Sequence, residues 1–239
     1  MDLILKGGVV VTGRGRQRVD VGIQGETVSA LAGDLPEREA GQVIDVSGKL
    51  LLPGVIDVHV HPVYTDDLEA CSRVAAYGGT TTLLHFAYAK QGESLYEATE
   101  KMREEGKATS RLDFGLHAGL FEAPKQVPEI LQTMELGVKS FKFFMPYIKQ
   151  GWYTDDYQLL KAMDILAANG GLAMVHAENG GGIDYLEDKY LTGPGASAEL
   201  FNTTRPAALE EEATFRALRL AEVANCPLYL VHVTTARSL

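Results

Sequence analysis

The pattern of apolar and polar positions changes near residue 53. Before it, short β-rich runs, "LILKGGVVVTG", "VDVGIQGETVSAL" and "QVIDVSGKLLLPG", are separated by Gly, Asp and Pro. They predict a small antiparallel sheet domain over residues 1–53, ending near Pro53–Gly54. The basic cluster "GRGRQR" at 13–18 reads as a solvated hairpin tip. Beyond it, apolar runs recur at regular intervals: "VIDVHVH" (55–61), "TTTLLHFA" (80–87), "LDFGLHAG" (112–119), "VKSFKFFM" (138–145), "LAMVHAEN" (172–179) and "LYLVHVTT" (228–235). Helical stretches lie between them. "SLYEATEKMREEGKA" places Leu95, Ala98 and Met102 on one face, and "TDDYQLLKAMDILAANG" starts on capping residues and stops at Asn-Gly. "LEEEATFRALRLAEVAN" is a third amphipathic stretch.

Six strands alternating with helices predict βα units and a parallel sheet. No GxGxxG follows the first strand, which disfavours a nucleotide-binding doubly wound sheet. The expected class is therefore α/β of the (β/α)8 TIM-barrel type over residues 54–239. A complete barrel has eight strands, so an incomplete barrel, lacking its last strands, is expected.

Composition narrows the function. A net charge of −10 argues against a nucleic-acid surface, and no apolar run is long enough for a membrane span. "MDLILKGG" has neither the basic region nor the cleavage site of a signal peptide. Cys71 and Cys226 lack CxxC spacing and read as reduced thiols in a cytoplasmic protein.

The chemistry gathers at strand ends. His59 and His61, two apart on one strand, point the same way and make half of a metal site or a satisfied strand pair. His176 and His232 sit near the ends of the fifth and sixth strands. In "SFKFFMPY" (140–147), Lys142 shares one face with Ser140 and Phe144, and Phe141, Phe143 and Met145 share the other. A barrel brings all strand ends to one mouth, so these five residues would meet there. A free ammonium repels cations, but a neutral lysine amine can take up carbon dioxide. The resulting carbamate could bridge two cations that supply the charge its burial demands. A Schiff-base lysine and a lysine snorkelling to water are the rival readings.

The stretches "LLPGVIDVHVH" (51–61), "SFKFFMPY" (140–147), "VHAENG" (175–180), "RPAALEEEAT" (205–214) and "PLYLVHVTT" (227–235) resemble the dihydropyrimidinase/D-hydantoinase branch of the amidohydrolase superfamily. The resemblance implies a TIM barrel beside a small β-sandwich and a binuclear site, usually zinc. His59 and His61 would hold one metal, His176 and His232 the other, and carboxylated Lys142 would bridge them. Tyr147 would contact the substrate and stabilise the developing oxyanion. His85, where relatives often carry Asp, and His117 would support the ligands or fill the core. Asp57 would be structural. Glu178 and Asn179 would fix the loop or orient His176. The glycines at 180–182 read as a mobile loop rather than a phosphate nest. The family's metal-binding Asp, which also shuttles the proton, belongs to an eighth strand.

The implied reaction is opening of a dihydropyrimidine or 5-substituted hydantoin ring to an N-carbamoyl amino acid. The alternatives are an allantoinase- or dihydroorotase-like hydrolase, a truncated incompetent chain, or a scaffold like the collapsin response mediator proteins. A homo-oligomer, tetramer or dimer, is expected, with no nucleic-acid or membrane partner.

Overall fold

The structure, a computed structural model, describes residues 1–62 and 66–239. The chain forms two compact units, Met1–Val55 and Ile56–Leu239.

The first unit holds β1 (Leu3–Lys6), β2 (Val9–Thr12), β3 (Gly15–Arg18), β4 (Asp20–Gln24), β5 (Thr27–Ala32), β6 (Gln42–Asp45) and β7 (Leu50–Leu51). They make two sheets, ordered β5-β4-β1-β6 and β3-β2-β7. Neither sheet is purely antiparallel, as the alternation had suggested, because β1–β6 and β2–β7 are parallel. The connection from β5 to β6, residues 33–41, carries a helical turn at Glu37–Glu39 and returns the chain to pair in parallel with β1. The basic cluster is also only partly a tip. Thr12 pairs with Gly15, so residues 13–14 turn and Gly15–Arg18 returns as a fully exposed strand. Asp20 is buried and accepts hydrogen bonds from the amides of Leu35 and Gly7, both at 2.9 Å. Those backbone bonds, aided by Lys6, hold its carboxyl below the usual range.

The second unit alternates strand and helix: β8 (Val55–Val60), α1 (Leu68–Tyr77), β9 (Thr80–Ala89), α2 (Leu95–Thr109), β10 (Asp113–Leu120), α3 (Ala123–Gln126), α4 (Ile130–Glu135), β11 (Ser140–Phe144), α5 (Asp156–Ala168), β12 (Leu172–His176), α6 (Gly180–Tyr190), α7 (Ala207–Ala224) and β13 (Leu228–Leu230). The strands form one parallel sheet in sequence order, with β8 and β13 at its edges. This is the incomplete TIM-barrel type that the alternation predicts.

The side-chain period of two sorts the sheet into faces. On the outer face, Phe141, Phe143 and Met145 of the β11 segment lie with Ala173 and Val175 of β12. They pack in one core with Leu159, Ala162 and Met163 of α5 and Ala213 and Ala217 of α7. Burying each large side chain there stabilises the fold by about 1.5–3 kcal/mol. On the inner face, Phe86, Met174 and Val231 form a smaller cluster with Tyr88 and Leu172.

Side-chain caps set the helix starts. Asp67, Ser94, Asp155 and Asn179 each accept from the backbone N–H three residues on. The last cap corrects an expectation: Gly180–Gly182 open helix α6 rather than form a loop. A Cβ on Gly180 would lie 2.9 Å from the Met145 carbonyl, so glycine is what lets α6 start so close to the end of β11. Among the described residues, no helix is long and apolar enough to cross a membrane.

Candidate metal centre

Lys142 sits in register with Gly119 of β10 on one side and Met174 of β12 on the other. Its side chain therefore points inward with Phe144, away from the helix layer. His59, His61, Lys142, Tyr147, His176 and His232 all line one cavity of about 180 Å³, with Tyr88, Phe144 and Trp152 completing its wall. A larger pocket of about 540 Å³ shares Tyr147, His176 and His232 and is lined further by Glu178, Arg205 and Glu210.

The imidazoles come in two pairs. His59 and His61 have ring centroids 4.8 Å apart, and His176 and His232 have theirs 4.3 Å apart. Between the pairs, His59 and His232 are separated by 6.4 Å. Among the described residues, no three His, Cys, Asp or Glu side chains are gathered closely enough to hold an ion by themselves. Lys142 adds an amine to the wall of the same cavity. Lys142 is 2% exposed, and among the described residues no carboxylate pairs with it. Its Nζ lies over the Phe144 and Phe86 rings, 5.3 and 5.8 Å from their centroids. Burial alone lowers its pKa to about 7, so near neutrality much of it is the free amine, the form that combines with carbon dioxide.

Burial, then the neighbouring imidazole, depresses His61 to about 4; the same two causes lower His232, whose outer side is exposed. His59 is lowered by burial and by the Lys142 charge. Neutral imidazoles are what metal ions bind. The donor set, four imidazoles and a lysine amine around one cavity, fits the binding of divalent cations.

Glu178 meets His176, its Oε2 lying 2.6 Å from Nε2. Arg205 stands 3.8 Å from the other Glu178 oxygen and pairs with Glu187 at 2.9 Å. Burial pushes the Glu178 carboxyl up, but its bond to His176 and the nearby positive charges outweigh this, and it is lowered. His176 itself is lowered by burial, against the pull of Glu178. Asn179 faces elsewhere: it caps α6 and donates to Glu212 at 2.7 Å.

His232 reaches the cavity by a route that strand alternation does not predict. The strand ends at Leu230, and Val231 takes the inner position, which would send His232 outward. A left-handed backbone at His232, φ 40°, turns the ring back toward His176. Tyr147 is also left-handed, φ 68°, with its ring edge-on to His176 at 5.2 Å. Such backbone costs about 1–3 kcal/mol per residue and persists where the surroundings enforce it. At His232, Glu210 of α7 supplies the enforcement. Its carboxylate accepts from the amides of Thr234 and Thr235, both at 2.9 Å, and from both threonine hydroxyls. Glu210 went unrecognised in the sequence, where nothing distinguishes it from Glu211 and Glu212.

The other two histidines behave differently. His117 lies on the inner face, one nitrogen on the Val58 carbonyl at 2.9 Å and the other on the Ser140 hydroxyl, tying three strands together. His85 is fully buried with neither ring nitrogen hydrogen-bonded. Asp57 accepts from the amide of His59 at 3.1 Å, a structural contact.

No family model matches the chain. It is 40% identical over 248 residues to a D-hydantoinase of Ralstonia pickettii, covering 100% of this chain and 53% of the relative. A dihydropyrimidinase of Rattus norvegicus is 36% identical over 244 residues, covering 97% of this chain and 47% of the relative. The crystal structure of a dihydropyrimidinase from Brevibacillus agri NCHU1002 superimposes with a TM-score of 0.91 at 36% identity, over 100% of this chain and 53% of that one. The chain spans about half the length of the curated relatives it matches.

Proposed function

We propose, from the premise that this chain is a relative of the D-hydantoinases and dihydropyrimidinases, that the protein hydrolyses a cyclic amide. The substrate would be a dihydropyrimidine or 5-substituted hydantoin, opened to an N-carbamoyl amino acid. The observation that carries this reading is Lys142, a buried lysine with no carboxylate partner among the described residues, lining one cavity with two pairs of imidazoles.

His59 with His61, and His176 with His232, would each hold one divalent cation, zinc being the expected metal, and carboxylated Lys142 would bridge them. Bound there, the two cations would supply a water nucleophile near neutral pH and polarise the amide carbonyl. The protein's own groups have separate tasks. Tyr147, half-buried and lining both cavities, would donate a hydrogen bond from its phenol to the carbonyl oxygen as charge develops on it. Glu178 holds the His176 ring, and Glu210 holds the turn that aims His232. The aromatic wall of Phe144 and Trp152 would exclude water from one side of a flat ring. The same reading extends to a cytoplasmic homo-oligomer, dimer or tetramer, which the molecular mass in solution tests.

The decisive experiment is metal content with and without bicarbonate, beside ring-opening assays on dihydrouracil and hydantoin. Two zinc ions per chain, dependent on bicarbonate and lost in Lys142→Ala, are expected. A Lys142→Ala protein that keeps both ions, or a wild-type chain that binds none, would overturn the reading.

A further inference from the structure

A second phenol stands in the wall of the small cavity, with no part in the scheme above. Tyr88 of β9 places its Oη 3.0 Å from His61 Nδ1. The contact is held from several sides. The Tyr88 ring lies nearly parallel to those of Phe86 (5.7 Å, 13°) and Phe121 (4.7 Å, 14°), and Phe121 stacks in turn on Trp152 (4.2 Å, 8°). Room for it comes from β10. Gly119 is in register with both Tyr88 and Lys142, and a Cβ there would lie 2.2 Å from Tyr88 Cδ1. Any other residue at 119 would push the ring out of place. The phenol is thus fixed by aromatic packing before it makes any polar contact.

An imidazole that binds a metal uses one nitrogen as the lone-pair donor, and a partner on the other N–H sets its tautomer and aim. A phenol can donate to Nδ1 or accept from it; when it accepts, the proton is on Nδ1 and the lone pair on Nε2. We propose that Tyr88 is a positioning residue: it accepts the Nδ1–H of His61, so that Nε2 is the atom offered to the cation. The inference rests on the metal-centre reading above. It adds a member to the site whose role is confined to the His59–His61 ion, because Glu178 and Glu210 serve the other pair.

Tyr88→Phe tests it, since it removes the oxygen and keeps the stack. The measurements are Zn²⁺ affinity, by competition with a chromophoric chelator, and the visible spectrum of the Co²⁺-loaded chain, both in bicarbonate. Wild type should bind two ions. Tyr88→Phe should unfold at the wild-type temperature, hold one ion normally and bind the other about 10–100-fold more weakly, with an altered Co²⁺ spectrum. Gly119→Ala, which displaces the ring, should weaken the same single ion. Equal affinity for both ions and an unchanged spectrum in Tyr88→Phe would overturn the inference and leave the metal centre standing. A lowered unfolding temperature with both ions weakened together would assign Tyr88 to packing and overturn it too. If wild type bound no metal, the metal-centre reading would fail and take this inference with it.

Discussion

Strands β8 and β11 both carry candidate ligands and read alike in sequence, yet they live in different surroundings. In β11 every residue after Ser140 is buried. In β8, Ile56 is 59% and Val58 is 48% exposed, and only His59 and Val60 are half-buried. Apolar content does not separate them; neighbours do. β11 is flanked by β10 and β12 and covered by helices, whereas β8, among the described residues, is an edge strand whose sheet neighbour is β9. Lys142 and His176 are therefore built into the best-packed part of the unit, whereas His232, just beyond the other edge strand β13, is exposed. His59 and His61 lie on an edge strand that joins the sheet through β9, and His117 on the Val58 carbonyl and Tyr88 on His61 are among the side-chain contacts that tie it down.

The contrast can be broken at its strong end. Phe143→Ala, opening a cavity in the core behind Lys142, should cost about 3–5 kcal/mol. That is enough to unfold much of a marginally stable domain, as chemical denaturation would report. A loss below about 1 kcal/mol would mean that β11 is no better anchored than the edge.

Lys142→Met should come next, and its effect depends on pH. The folded-state pKa of this lysine lies near 7, below the ordinary 10.5. The unfolded chain therefore binds the extra proton between those values. The metal-free wild type should gain stability as pH rises from about 7 toward 10 and lose it on the way back down. Lys142→Met should flatten that slope and be the more stable protein at pH 7, by thermal unfolding in the presence of a chelator. Parallel pH profiles would show that the ammonium is solvated.

A smaller gain is expected from His85→Leu, which replaces two unpartnered buried nitrogens by an apolar group, by about 1 kcal/mol. Burial lowers the pKa of His85, so the wild type should also lose stability as pH falls below the ordinary value of 6.5, and the variant should lose less. Ile56→Ser on the edge strand should shift stability least, within about 0.5 kcal/mol. Hydrogen exchange should be faster in β8 than in β11 in both proteins.

Much of this was legible beforehand where one rule governs. The period of two placed Lys142 and Phe144 on one face and Phe141 and Phe143 on the other, and the alternation of strands with helices foretold the parallel order. Legibility stopped where tertiary contacts overrule local pattern. His232 faces the cavity against strand parity because Glu210 holds a left-handed turn in place. The glycines after Asn179 enter a helix because the asparagine caps it, and at Gly180 the backbone of Met145 and Pro146, just beyond β11, leaves no room for a side chain. Tyr88 and Gly119 carry no motif at all. Their relation exists only across the register of β9 and β10, which no single run of residues reveals.

The Glu210 clamp has one more consequence. The carboxylate comes from the first turn of α7, in front of β13, and grips the chain just beyond that strand. Helix, strand and turn thus form a closed ring of chain in which fraying at either end opens the other. Assembly around His232 must wait for α7 to dock, so of the four imidazoles it should be the last to settle on folding and the first to wander on heating.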